Sequence, residues 1–340
     1  MQQPNLQERL LEAILTRYER RSDAVEDLCR ILNSTKDPVY RRLRGDTLLT
    51  PQEMSTLAYH FNLSLDRLIF SESSKLVCSF KPITKKVKNF EEYLTYFTRD
   101  FELIHRLPNV HMYSASAEIP VIALSYFPEL LGFKLYIWGR TSWEFEYLRD
   151  RPFSFDLITE PDRRLIKTVQ NYYNQIQTTE LLSVSSIDMT LAQIEYQLYS
   201  EGFKVPHEAI SMCDKLTAWV AHMREMVMSG KKFEVGSAPA ERSAKFDLYH
   251  NEIFYTTNIA MVHSDLGPVV YFTYNGPDFM RTTDDKFCKF TDDWFKQVMN
   301  KSNLVTQASD RVRDWFFREM TKKIERVKQR LLLFLDENEN

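Results

Sequence analysis

The chain has 340 residues, 44% of them hydrophobic and 27% charged, and its formal net charge is −3. These proportions are typical of a globular protein, the length indicates two or three domains, and the slight excess of acid excludes a chain-wide affinity for polyanions. Residues 1–9 are polar and no run of 18 apolar residues occurs, so we expect neither a signal peptide nor a membrane partner.

Residues 1–70 are predicted to form a five-helix domain. Apolar residues recur at helical spacing over 6–20, which is the first helix, and again after Ser22, where the second helix begins. The fourth helix begins at a capping box whose first residue is Thr50, and the fifth follows Ser64.

The third helix is predicted from the stretch "STKDPVYRRLRG", residues 34–45. It opens with a capping signature, Pro38 falls in its first turn, and Gly45 ends it. Only Val39 and Leu43 are aliphatic, so this helix buries little and exposes basic residues.

Helices two and three, joined by "LNST", have the spacing of a helix-turn-helix. The spacing of a known domain family extends over three stretches of the sequence: "AVEDLCRILNST", "DPVYRRLRG" and "LTPQEMSTLAYHFNLSLDRLI". With them, residues 6–70 resemble the λ-repressor-like or XRE-type helix-turn-helix domains. The resemblance implies that the domain binds double-stranded DNA and that its third helix lies in the major groove.

The docking geometry of such domains selects the candidate DNA-binding residues. The N-terminal residues of the reading helix lie nearest the base edges, and the arginines read guanine or hold phosphate. Segment 36–44 carries a local charge of +3, because four basic residues face one acid. There are two alternatives to DNA binding: the basic residues form a solvated charged face, or the helix-turn-helix contacts only proteins. The expected DNA-contacting set is Ser34, Thr35, Lys36, Asp37, Tyr40, Arg41 and Arg44.

The remainder of the chain is interpreted as a basic linker, residues 71–88, and a large sensor and dimerisation region, residues 89–340. Residues 109–145 fit short strands and short helices equally well. Residues 244–275 are rich in β-branched and aromatic residues and predict a small antiparallel sheet. The expected fold class is an α-rich α+β protein, with further helices over 89–107, 161–176, 188–200 and 206–229.

A long terminal helix is predicted from Ser309. Its apolar residues follow the spacing of a coiled-coil seam. The seam fits either a homodimer or packing against the sheet of the same chain, and the sequence does not decide between them. Its members are Phe317, Met320, Ile324, Val327, Leu331 and Phe334.

No catalytic or metal-binding motif is found, and the chain is not expected to be an enzyme. His222 and Glu225 form an isolated H-x-x-E, best explained as surface residues. The Thr-Asp-Asp sequences that begin at Thr283 and Thr291 are explained as helix N-caps. The cysteines form no CxxC pair, which favours a reduced, cytoplasmic protein; they are Cys29, Cys78, Cys213 and Cys288.

The sequence therefore predicts a cytoplasmic one-component transcription regulator. It would bind duplex DNA as a homodimer and respond to a small-molecule effector through its C-terminal region, and no cofactor or metal is assigned to it. The alternative is a protein-interaction adaptor whose helical domain docks on another protein and not on DNA.

Overall fold

The computed structural model describes residues 5–61, 63–70, 76–80, 82–83, 87–253, 256–307 and 309–339. The chain divides into two compact units, Met1–Val77 and Cys78–Asn340. Within the described residues, no helix is both long enough and apolar enough to cross a membrane.

The described residues of the N-terminal unit form five helices, close to the positions that the sequence predicts. Their apolar faces meet in one cluster, in which Leu10, Ile14, Leu28 and Leu57 are almost completely buried. The first helix ends at Leu15, earlier than expected, and Tyr18 beyond its end donates its hydroxyl to Asp27 of the second helix. The helices are α1 (Leu6–Leu15), α2 (Arg21–Ile31), α3 (Lys36–Leu43), α4 (Pro51–His60) and α5 (Leu65–Phe70).

The C-terminal unit is built on one eight-stranded mixed sheet with the order β1-β7-β6-β5-β2-β3-β4-β8. Strands β2, β3 and β4 are parallel, and the other pairs are antiparallel. The strands are β1 (Ser79–Phe80), β2 (His111–Ala115), β3 (Gln177–Leu182), β4 (Phe246–His250), β5 (Ile259–His263), β6 (Val269–Thr273), β7 (Phe279–Thr282) and β8 (Asn303–Leu304).

The prediction of a small antiparallel sheet confined to residues 244–275 is therefore wrong. The parallel strands β2 and β3 lie outside that segment. β3 is buried on both faces and so lacks the alternation that marks a half-exposed strand, whereas β2 alternates between half-buried and buried residues but is only five residues long. The segment 109–145, which the sequence left open, contains both kinds of structure: strand β2 and a helix over Pro128–Thr141.

Helices cover both faces of this sheet. Ala115 and Leu181 face α11, where Cys288 and Phe295 complete a small core. Met112 and Leu182 face the larger core with most of the other helices. These helices are α6 (Phe90–His105), α7 (Pro128–Thr141), α8 (Glu160–Tyr173), α9 (Asp188–Tyr199), α10 (Glu208–Ser229), α11 (Asp285–Asn300) and α12 (Asp310–Glu339).

The apolar stripe of α12 is buried inside its own chain. Phe317, Met320, Ile324 and Leu331 are each less than 5% exposed, and the helix packs against α10 and α9. The stripe therefore does not supply a dimer seam, and the sheet is not its main partner either.

Part of the segment expected to be a linker belongs to the C-terminal unit. β1 pairs with β7, and the Val87 side chain is buried in the large core. Residues 71–75 and three of the lysines that suggested a basic linker lie outside the described residues; these lysines are Lys81, Lys85 and Lys86.

Two smaller expectations about the C-terminal unit need correction. His222 is not a surface residue: it is 3% exposed, and its ring Nε2 lies 3.0 Å from the Phe233 carbonyl oxygen.

Asp284 caps α11 as expected, by accepting a hydrogen bond from the Phe287 N–H. Thr291 instead lies inside α11 and is buried, so the second Thr-Asp-Asp sequence caps nothing.

Candidate nucleic-acid interface

Helix α3 is short because its ends are fixed locally. Thr35 is its N-cap residue, and Pro38 falls in the first turn, where no backbone donor is needed. Gly45 follows the last turn with φ +81°, a left-handed conformation that glycine adopts without strain. Val39 is 1% exposed and fixes the helix on the core of the N-terminal unit.

The buried side chain of Gln7 on α1 holds the C-terminal end of α3. Its amide nitrogen donates to the carbonyl oxygens of Arg42, at 2.9 Å, and Thr47, at 3.0 Å. Its amide oxygen accepts from the Leu49 N–H at 2.6 Å. One side chain thereby satisfies three backbone groups around the turn from α3 to α4, which fixes the orientation of α3.

An ion pair ties the inner side of α3 to α4. The Arg42 guanidinium donates to the Glu53 carboxylate at 2.6 Å, and both side chains are no more than 20% exposed. Glu53 also closes the capping box of α4 with Thr50. Arg42 is therefore a structural residue, although it lies between two other basic positions in the sequence.

The predicted DNA-binding residues share one exposed face. Positions 36, 37, 40, 41 and 44 repeat at helical spacing, and all five side chains are exposed. Thr35 is also exposed at the start of the helix, and Ser34 before it is half-buried.

The charge on this face is smaller than the sequence suggested. Lys36 lies 3.5 Å from Glu26 of α2, and Arg44 lies 2.8 Å from Asp46. Within the described residues, the Arg41 guanidinium has no acidic partner. Exposed ion pairs contribute only about 0–1 kcal/mol, so phosphate can displace the two carboxylates at little cost.

A shallow groove between α2 and α4 was not anticipated. It has a volume of about 540 Å³, and Tyr59 in its wall is 91% exposed. Five of its lining residues belong to α4, and their helical spacing was the available sequence evidence. The groove is lined by Arg30, Ile31, Gln52, Ser55, Thr56, Tyr59 and His60.

Comparison with protein-family models, with curated proteins and with solved structures finds no match to this chain. A function must therefore be inferred from the geometry of the chain itself.

Proposed function

We propose that this chain is a one-component transcription regulator that binds duplex DNA by inserting α3 into the major groove. The observation that carries the proposal is the exposed face of α3, where the guanidinium of Arg41 has no acidic partner among the described residues. The opposite side of the same helix is anchored by Val39 and Arg42.

The dimensions of α3 suit this role. An α-helix with its side chains is about 10–12 Å across, which fits the major groove of about 12 Å, and the eight residues of α3 extend about 12 Å along it. Thr35, Lys36 and Asp37 would approach the base edges, because they form the N-terminal end of the helix. The Arg41 and Arg44 side chains would donate to guanine or to phosphate oxygens.

Regulation would come from the C-terminal unit. We propose that two copies bind neighbouring half-sites in the cytoplasm, through a contact other than the buried stripe of α12. An effector held by the C-terminal unit would favour one arrangement of the two DNA-binding units and so change the affinity for DNA.

A selection experiment tests the proposal. The full chain is incubated with a pool of randomised duplexes, and bound DNA is recovered, amplified and sequenced over several rounds. A sequence-specific regulator enriches one motif, and the Arg41→Ala variant enriches it less. No enrichment by the intact chain would rule out sequence-specific binding.

The adaptor is the second candidate, favoured by the groove beside Tyr59. Exposed tyrosines are enriched at protein interfaces. A Tyr59→Ala variant separates the two functions, because DNA binding through α3 does not require this ring. If the chain is an adaptor, the variant loses its protein partner, and the chain shows no affinity for duplex DNA.

A further inference from the structure

A small cavity lies inside the C-terminal unit, between the sheet and the helices α6 and α7. Its volume is about 190 Å³. Three residues that line it, Ser114, Ala260 and Tyr271, stand in register across β2, β5 and β6, so their side chains share one face of the sheet. Most of the remaining wall is apolar or aromatic and includes Phe97, Phe101, Met112, Trp138 and Val262.

A buried ammonium group interrupts this apolar wall. Lys134 is 5% exposed, and its Nζ donates to the Glu118 carboxylate at 2.5 Å. The other oxygen of Glu118 accepts from the Asn258 side chain at 3.1 Å. Glu118 is thus satisfied, whereas the ammonium has three N–H donors and, within the described residues, one acceptor.

Two buried serine hydroxyls add further hydrogen-bonding capacity to the same cavity. Ser114 and Ser116 are 6% and 4% exposed. Within the described part of the chain, each hydroxyl has only the other as a side-chain partner, at 3.4 Å. One hydrogen bond between two hydroxyls uses only one of their two O–H donors, so the other donor remains available to a bound molecule.

The size and charge of the cavity restrict the missing partner. A cavity of about 150 Å³ binds benzene, so 190 Å³ holds one aromatic ring and a small substituent. The Lys134 ammonium, which already donates to Glu118, has N–H donors left for a further acceptor oxygen. A carboxylate is disfavoured, because Glu118 already neutralises the ammonium, and Glu118 and Asp100, which both line the cavity, would repel a further negative charge.

We infer that this cavity binds a neutral, mostly apolar molecule the size of a single aromatic ring, with a carbonyl or hydroxyl oxygen directed at Lys134. Binding of such a molecule goes beyond DNA recognition by α3 and does not require it. In a regulator, this molecule is the effector.

Calorimetric titration of the full chain tests the inference with three matched probes. Acetophenone has the ring and the acceptor oxygen, ethylbenzene lacks the oxygen, and benzoate carries a negative charge. We expect acetophenone to bind about tenfold more tightly than ethylbenzene, and benzoate more weakly than either. No binding of acetophenone, or equal binding of all three probes, would overturn the inference.

Two variants locate the binding. Ala260→Leu fills the cavity from the sheet and should abolish binding of acetophenone and ethylbenzene, with tryptophan fluorescence reporting that the unit remains folded. The double variant Lys134→Met and Glu118→Gln removes both charges, and its preference for acetophenone should disappear. Unchanged acetophenone affinity in the Ala260→Leu variant would place the probe elsewhere and refute the site. Because these titrations contain no DNA, their outcome is independent of the proposed function.

Discussion

Arg41 and Arg42 are neighbours in the sequence and have different surroundings. The Arg41 side chain is exposed on α3, whereas Arg42 is paired with Glu53 and largely buried. We predict that Arg41→Ala weakens duplex binding by about 1–3 kcal/mol and changes the free energy of unfolding by less than about 0.5 kcal/mol. Fluorescence anisotropy with labelled DNA measures the first quantity, and hydrogen exchange in the full chain measures the second.

Arg42→Ala is the matched control, and we predict the reverse result. Removing the guanidinium leaves the half-buried Glu53 carboxylate without its partner, so the N-terminal unit should lose about 1 kcal/mol of stability. The affinity of the folded protein for DNA should change little. If both variants lose DNA affinity equally without loss of stability, α3 is oriented differently from our description.

We expect His111 to make the stability of the C-terminal unit depend on pH. Burial and, to a smaller extent, the neighbouring His263 lower the pKa of His111 from 6.5 to about 4. Above pH 6.5 the ring is neutral in both the folded and unfolded chain, and between pH 6.5 and 4 only the unfolded chain takes up the proton. We therefore predict that the free energy of unfolding falls as the pH is lowered through this range.

Urea titrations followed by tryptophan fluorescence measure this effect, because all five tryptophans belong to the C-terminal unit. A His111→Gln variant retains a group that can contact the Thr179 hydroxyl but cannot take up a proton. Its stability should fall less steeply with pH than that of the wild type. Identical slopes would show that His111 does not cause the dependence.

At the scale of an element, the capping box of α4 makes a separate prediction. The Thr50 hydroxyl accepts from the Glu53 N–H, and the Glu53 carboxylate accepts from the Thr50 N–H. Thr50→Ala removes the first of these bonds and should destabilise the N-terminal unit by about 1 kcal/mol. Faster hydrogen exchange of the α4 amides would report this loss. An altered sequence preference with unchanged exchange would contradict the supporting role of α4.

The helices of the N-terminal unit could be predicted because their ends are determined locally. Thr50 caps α4 through a residue three positions away, and the left-handed conformation after α3 falls on Gly45, a residue type that adopts it without strain. The exposure of Arg41 was predictable for the same reason. The ion pairs of the neighbouring Lys36 with Glu26 and of Arg44 with Asp46 could not be predicted, because the distances between these charged groups are set only in the folded chain.

The sheet was harder to predict because its central strands depend on distant residues. β3 contains Thr178, Thr179 and Glu180, all buried, and a strand with this polarity resembles a loop in the sequence. Their partners come from other elements: the Lys232 ammonium donates to the Thr178 hydroxyl at 2.6 Å, and the Tyr173 hydroxyl donates to Glu180. The cavity beside Lys134 also forms only when such segments meet, so no motif indicates it.

At the scale of the molecule, α12 is part of the core of the C-terminal unit. Its flanks are fixed by ion pairs to α9 and α10, among them Arg330 with Glu195 and Lys328 with Asp214. We predict that the double variant Ile324→Asp and Leu331→Asp unfolds or aggregates, because two carboxylates would be buried in an apolar interface at several kcal/mol each. Circular dichroism and sedimentation measure this outcome. A folded monomeric variant would instead indicate that α12 forms a dimer seam.

Binding of duplex DNA by α3 is the central claim, and its salt dependence is the most direct test. The affinity of the full chain for a duplex is measured by anisotropy over a series of salt concentrations. We predict that log affinity falls steeply and linearly with log salt, because bound basic residues release counterions from the phosphates. For Arg41→Ala the slope should be shallower by about 0.9 if that side chain holds one phosphate. An affinity independent of salt, or no duplex binding even at low salt, would contradict the account.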